Sequence, residues 1–218
     1  VKSTLKQKQK LKKDLLNSGK TAKDFDLFKL ALLHGQTNQF PTNSIKIGNS
    51  QQQAITISFV TNPFCSFCES VIKILAALHN QYPEQVRIEV AMLGYDQKQV
   101  EASKVYEGLV SIYLSHGGNA FIETYLDFLK EENQAKWQNQ LILNPDKGTE
   151  GQKLLSDHRD WSIINRINFT PMLFINGYMY PRAYEYENLK HFMPALIEDK
   201  EIKGGDEIKI NKAELVSY

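Results

Sequence analysis

Ile55-Thr56-Ile57-Ser58-Phe59-Val60 lies just upstream of Cys65-Ser66-Phe67-Cys68, and Val71, Ile72, Leu75 and Leu78 follow on one stripe. The first run is β-branched and apolar, as a buried strand requires. The apolar residues after the cysteines recur at helical spacing, which predicts a helix from Cys65 to near Gln81, before Pro83. Cys65 and Cys68 are the only cysteines in the chain. A disulfide across so short a loop does little to restrain an unfolded chain. A dithiol on a strand-to-helix turn reads instead as a redox motif.

Outward from this centre, Val86, Ile88, Val90 and Met92 alternate with Arg87, Glu89 and Ala91, which predicts a second strand. Strand, helix and strand in this order predict a right-handed crossover with parallel strands. From about 97 to 165 the pattern is helical. Tyr106, Leu109, Val110 and Tyr113 mark one helix, closed by Gly117-Gly118, and Phe121, Tyr125, Phe128 and Leu129 mark a second. Trp137 and Leu141 mark a shorter piece, and Leu154, Leu155, His158 and Trp161 the last. This stretch is too long for one crossover and predicts a helical subdomain inserted into an α/β core. The sheet resumes at Met172-Leu173-Phe174-Ile175. Asn176-Gly177 is a two-residue hairpin signal, and Tyr178-Met179-Tyr180 returns as its partner. A closing helix is expected from about Glu185, with Leu189, Phe192 and Leu196 inward and a kink or break at Pro194.

Ahead of the core, Leu5, Leu11 and Leu15 predict a helix over 4–17. Thr21-Ala22-Lys23-Asp24 resembles a capping box for a second helix through Phe25, Phe28 and Leu32, ending at Gly35. Residues 36–53 read as a polar arm over the core. The organisation expected is therefore an N-terminal arm and connector over 1–53, a core over 54–96 and 166–198, an insertion over 97–165 and a tail over 199–218.

Composition narrows the class. The apolar and charged fractions, 42% and 23%, are those of an ordinary globular chain, and no run is apolar for long enough to cross a bilayer. A net charge of +1 argues against a dedicated nucleic-acid binder, because phosphate recognition needs a concentrated basic surface. Six lysines fall within residues 1–13, leaving the remainder net acidic. They read as a solvated helix or tail, with a juxtamembrane segment as the alternative. Val1 with no apolar run after it reads as a mature or excised form.

A thiolate, not a thiol, attacks a disulfide, and helix N-terminal N–H groups favour the anion. Cys65 is therefore the expected nucleophile, and Cys68, one turn in and shielded, the resolving thiol. Ser66 and the backbone N–H groups are candidates to stabilise the Cys65 thiolate, and Phe64, Phe67 and Met172 to form an apolar collar for extended substrates. His34, His79, His116, His158 and His191 are scattered with no metal or triad spacing, so no metal is expected. Asn168-Phe169-Thr170 matches a glycosylation acceptor but abuts Pro171 and is read as chance.

Taken together, a βα unit with Cys-x-x-Cys, a further strand, and Thr170-Pro171 leading into a hairpin and final helix resemble the thioredoxin superfamily. The long helical insertion is similar to its DsbA-like branch. Asn62-Pro63-Phe64-Cys65-Ser66-Phe67-Cys68 resembles thioredoxin-like domains of Bacteroidetes-type bacteria, which occur alone or fused to a membrane vitamin K epoxide reductase-like domain. The resemblance covers about residues 45–198. It implies a cis Pro171 packed on the dithiol, with Thr170 pairing with the substrate backbone by strand addition. It also implies thiol–disulfide exchange on proteins or peptides, outside the cytoplasm, without a dissociable cofactor, and with a quinone-linked membrane oxidoreductase as redox partner. Many members carry an acid six residues before the first cysteine, and here Phe59 stands there. Glu69 reads as a solvated first-turn carboxylate. Ser66-Phe67 between the cysteines leaves the direction open among oxidase, reductase and isomerase, the last favouring a dimer through residues 1–35. A Cu(I) carrier or peptide-binding module on the same fold is the alternative from another class.

Overall fold

The computed structural model describes residues 23–48, 55–130 and 148–203. Its elements in chain order are α1 (Phe25–Leu33), β1 (Ile45–Ile47), β2 (Ile55–Thr61), α2 (Cys68–Gln81), β3 (Val86–Met92) and α3 (Val100–Lys130). They continue with α4 (Gly148–Ile164), β4 (Met172–Ile175), β5 (Tyr178–Met179), α5 (Asn188–Glu198) and α6 (Lys200–Lys203). The expected helices over 4–17 and around Trp137, and the tail beyond 203, lie outside the described residues.

The five strands form one mixed sheet in the order β1-β3-β2-β4-β5. β2 and β3 are parallel, with Ile57 opposite Ile88 and Phe59 opposite Val90, as a crossover through α2 requires. β4 runs antiparallel to β2, placing Leu173 opposite Phe59 and Met172 opposite Val60. Because side chains alternate along a strand, Ile55, Ile57, Phe59 and Thr61 share one face. That face receives Val71, Ile72, Leu75 and Leu78 of α2 in a core that also holds Tyr106, Tyr125 and Phe128 of α3. The other face carries Val60, Met172 and Phe174, covered by Ile167, Phe40 and Trp161. Along β3 it turns polar, where Arg87 donates to the Thr56 hydroxyl at 2.9 Å and pairs with Glu89.

The β4–β5 hairpin follows from local chemistry. Asn176 and Gly177 have φ of 47° and 81°, the two positive values of a type I′ turn. Asn176 also accepts from the Thr56 N–H at 2.7 Å and donates to the Ile202 carbonyl, tying the turn to β2 and α6. Of the kink or break expected at Pro194 there is no break: α5 continues through it as one helix and buries Leu189, Phe192, Met193 and Leu196.

Three expectations need correction. The N-cap of α1 is Asp24, whose Oδ1 accepts from the Asp26 and Leu27 N–H groups, while Thr21 lies outside the described residues. α1 then stacks Phe28 on Phe192 of α5, with ring centroids 4.2 Å apart. The connector is not wholly an arm, since Ile45-Lys46-Ile47 forms β1, antiparallel to β3. Its three-residue alternation of buried, exposed and buried positions is too short to stand out from a polar background. The third concerns the start of α2, taken up with the site.

The two halves of α3 meet at Gly117, where φ is 84°, in agreement with the expected closure there. At Gly118 the helix passes so close to β1 that an added Cβ would lie 2.2 Å from the Lys46 carbonyl and 2.9 Å from Ile47 Cα. Both obstacles are backbone, so Gly118→Ala is expected to destabilise the fold by about 1–3 kcal/mol, read as a lowered urea midpoint.

His158 of α4 is 1% exposed. Its Nδ1 accepts from the Met92 N–H at 3.1 Å, and its Nε2–H donates to the Asn43 carbonyl at 3.0 Å, joining α4, β3 and the connector. Burial lowers its pKa from 6.5 to about 4. The folded value lies below the unfolded one, so the contribution is fully present above about pH 6.5 and is lost as pH falls towards about 4. Unfolding midpoints across that window should lose about 2–3 kcal/mol of stability in the wild type, a slope that His158→Gln removes.

Candidate active site

The cysteines sit on two successive turns built by the residues before them. The Cys65 N–H donates to the Asn62 carbonyl and the Cys68 N–H to the Cys65 carbonyl, both at 3.0 Å. Pro63 takes the second position of the first turn, where its fixed φ suits the chain. The Asn62 side chain accepts from the Phe64 N–H at 2.8 Å, an Asx turn that sets the approach to Cys65. α2 begins at Cys68 with Phe67 as its cap, so Cys65 precedes the helix by a turn instead of opening it. The second turn occupies Cys65, Ser66 and Phe67, which helical periodicity assigns to α2.

Cys65 and Cys68 are free thiols with unlike surroundings. Cys65 is half-buried, and its sulfur lies 3.6 Å from the Thr170 carbonyl, across 105 residues of chain. Burial alone would raise its pKa. Hydrogen bonds from the Thr170 side-chain hydroxyl, from the Cys68 thiol and from the Cys68 and Phe67 N–H groups outweigh burial and hold it below the ordinary value. Cys68 is fully buried in the main core. Burial pushes it up to about 11, opposed by a hydrogen bond from Thr61 and reinforced by its own donation to Cys65. The pair is thus split into an accessible thiol held below its ordinary pKa and a buried one held above it.

The Thr170-Pro171 peptide is cis and brings Thr170 over Cys65. The Tyr186 hydroxyl donates to the Pro171 carbonyl at 3.1 Å, anchoring this loop to the segment ahead of α5. Beside it opens a groove of ≈ 530 Å³ lined by Phe169, Tyr180, Arg182, Tyr184, Glu185 and Tyr186. The Arg182 guanidinium lies over the Phe169 ring, 5.5 Å from its centroid.

The expected apolar collar is only partly assembled. Phe67 is 75% exposed beside the dithiol, while Phe64 is 41% exposed and turns its ring towards Tyr106 and Phe128 of α3. Met172 does not join them. Its register opposite Val60 puts it on the far face of the sheet. Ser66 is exposed on the turn. Phe59 is buried in the core, and Glu69 pairs with Lys73 on the surface of α2, as a first-turn carboxylate does. Among the described residues no group of three or more His, Cys, Asp or Glu is placed to hold a metal.

Sequence reading missed Thr61 and Tyr125, whose buried hydroxyls lie 2.6 Å apart beside Cys68. Strand parity places Thr61 on the face of Phe59 and Ile57, and that signal was available. Nothing local distinguishes Tyr125 from the other aromatic residues of its helix. Tyr106, in the same core as Cys68, and Tyr186, packed against that core, were missed as contributors for the same reason.

No family model matches the chain, and no curated protein matches it. Solved structures do. Proteus mirabilis ScsC in a compact conformation is 17% identical over 93% of this chain and 96% of its own, with a TM-score of 0.57. A periplasmic thioredoxin-like protein from Salmonella enterica serovar Typhimurium is 15% identical over 79% and 97%, with a TM-score of 0.55. Chlamydia trachomatis DsbA is 14% identical over 74% and 96%, with a TM-score of 0.53. The fold is therefore the DsbA-like thioredoxin fold with its inserted helices.

Cys65 is expected to be alkylated by iodoacetamide well before Cys68, with a pH midpoint below that of a free cysteine, about 8.5. Peptide mapping of the first modified sulfur across pH 5–10 checks both the order and the midpoint, and earlier labelling of Cys68 would contradict the site geometry.

Proposed function

We propose that this chain is a thiol–disulfide oxidoreductase acting on protein or peptide substrates through Cys65 and Cys68. The observation that carries the reading is the split within the dithiol: a reachable Cys65 of lowered pKa whose thiol donates to the Thr170 carbonyl, and a buried Cys68 of raised pKa one turn behind it. Cys65 forms the mixed disulfide and Cys68 resolves it. In the reducing direction the Cys65 thiolate attacks a substrate disulfide, one substrate sulfur leaves as thiolate, and Cys68 then displaces the other. The oxidising direction is the reverse, a substrate thiolate attacking Cys65 of the Cys65–Cys68 disulfide.

Thr170-Pro171 holds the substrate backbone, since the Thr170 carbonyl is at the sulfur and the loop runs directly into β4. Phe67 and Phe64 offer apolar surface on the other flank. The dithiol itself carries the two electrons, so no dissociable cofactor is required. The motif's resemblance to domains fused with vitamin K epoxide reductase-like proteins supports an extracytoplasmic site of action and a quinone-linked membrane partner of that type. Among the described residues no helix is long and apolar enough to cross a membrane.

Equilibration with glutathione redox buffers, followed by insulin reduction and oxidation of a reduced test protein, tests the reading and assigns the direction. Cys65→Ser should abolish turnover, and Cys68→Ser should accumulate a mixed disulfide visible by mass spectrometry. A dithiol that does not cycle, or that binds Cu(I) tightly without exchanging disulfides, would overturn it.

A further inference from the structure

Thr61 closes β2 with its side chain on the face that packs against α2, and its backbone is fixed by the Leu93 N–H donating to its carbonyl at 2.7 Å. Thr61, Tyr125 and Cys68 are each fully buried. The Tyr125 and Thr61 hydroxyls lie 2.6 Å apart in the core that holds Cys68, where a proton directed from Thr61 to the sulfur favours its thiolate. Each hydroxyl has one proton. If Thr61 donates its proton to sulfur, the short contact with Tyr125 requires Tyr125 to donate to Thr61.

We propose that Thr61 and Tyr125 form a buried donor chain that stabilises Cys68 as thiolate while it resolves the mixed disulfide. Thr61 O–H donates to the Cys68 sulfur, and Tyr125 O–H donates to Thr61 Oγ1 and positions it. The proposal rests on the reading of Cys68 as the resolving thiol. In the mixed disulfide Cys65 Sγ is bonded to the substrate sulfur. Cys68 loses its proton and its electron pair forms the Cys65–Cys68 bond. The Cys65–substrate bond breaks, and the substrate sulfur leaves with that pair and takes up the proton. Cys65 and Cys68 end oxidised, the substrate sulfur ends reduced, and no outside reactant enters.

The groups that act on Cys68 are Thr61 from β2, the Asn62 N–H after it, Tyr106 and Tyr125 from α3, Thr170 from the cis-proline loop, Tyr186 ahead of α5, and Cys65. Burial raises the three tyrosines above their ordinary pKa, so they remain protonated while thiols titrate. A donor chain of hydroxyls, each polarising the next, acts together with the Asn62 N–H and the Thr170 side chain in favouring a buried anion.

Reaction of the reduced protein with dithiobis-nitrobenzoate separates the two sulfurs. Cys65 releases the first thionitrobenzoate, and Cys68 releases the second as it closes the internal disulfide. Thr61→Val should slow the second release by about tenfold and move its pH midpoint upward, leaving the first within about twofold. Tyr125→Phe should slow the second release by about threefold in the wild-type background and have no further effect on Thr61→Val, because it acts through Thr61. Thr61→Ser should restore the wild-type profile. An unchanged second phase in Thr61→Val, equal slowing of both phases, or an undiminished Tyr125→Phe effect beside Thr61→Val would each overturn the proposal while leaving the oxidoreductase reading intact. A wild type that never releases the second thionitrobenzoate would overturn both.

Discussion

The contact between the Cys65 sulfur and the Thr170 carbonyl, 3.6 Å across 105 residues of sequence, is the constraint on which the rest of the site depends. It exists because β4 pairs antiparallel with β2 in a register that sets Met172 opposite Val60. The segments leaving the same end of those strands, Asn62 to Cys65 on one side and Thr170-Pro171 on the other, must then converge. A shift of one residue in that pairing would turn the side chains of β4 to the opposite face. The aromatic packing around Phe28 and Phe192 and the Asn176 hydrogen bonds to β2 and α6 help hold the register in place.

A second consequence of that geometry is the asymmetry between two chemically identical residues. Cys65 stands just before the helix, where the N–H groups of Phe67 and Cys68 reach back to it. Cys68 occupies the first helical position and is drawn into the core between β2 and α3. Desolvation acts against both thiolates, and more strongly at Cys68, which is fully buried where Cys65 is half-buried. Cys65 has enough donors to overcome burial, and Cys68 does not. The inserted helices are therefore part of the site, because Tyr106 and Tyr125 of α3 share the core that buries Cys68 and Phe64 leans on the same helix.

Most of the sheet was legible because its signals are local. β2, β3 and the Asn176-Gly177 turn each announce themselves within ten residues, by alternation, β-branching or the need for positive φ. β1 escaped because three residues give no reliable period, and its strand character comes from pairing with β3. The start of α2 was placed three residues early because Cys65, Ser66 and Phe67 carry no helix-breaking residue, and only the turn hydrogen bonds separate them from the helix. Met172 was assigned to the dithiol because its closeness in sequence to Pro171 is visible and its strand register is not.

By itself the chain therefore determined the dithiol, the strand-to-helix turn that carries it and the Thr-Pro pair, because each is written in adjacent residues whose backbone preferences are strong. Tertiary structure decided which side chains surround the sulfurs. Thr61 and Tyr125 are 64 residues apart and meet only because β2 and α3 bury the same core, an arrangement that depends on packing and not on local preference. The difference in acidity between Cys65 and Cys68 is likewise a property of desolvation and donor number, and both quantities come into being only when the chain is folded.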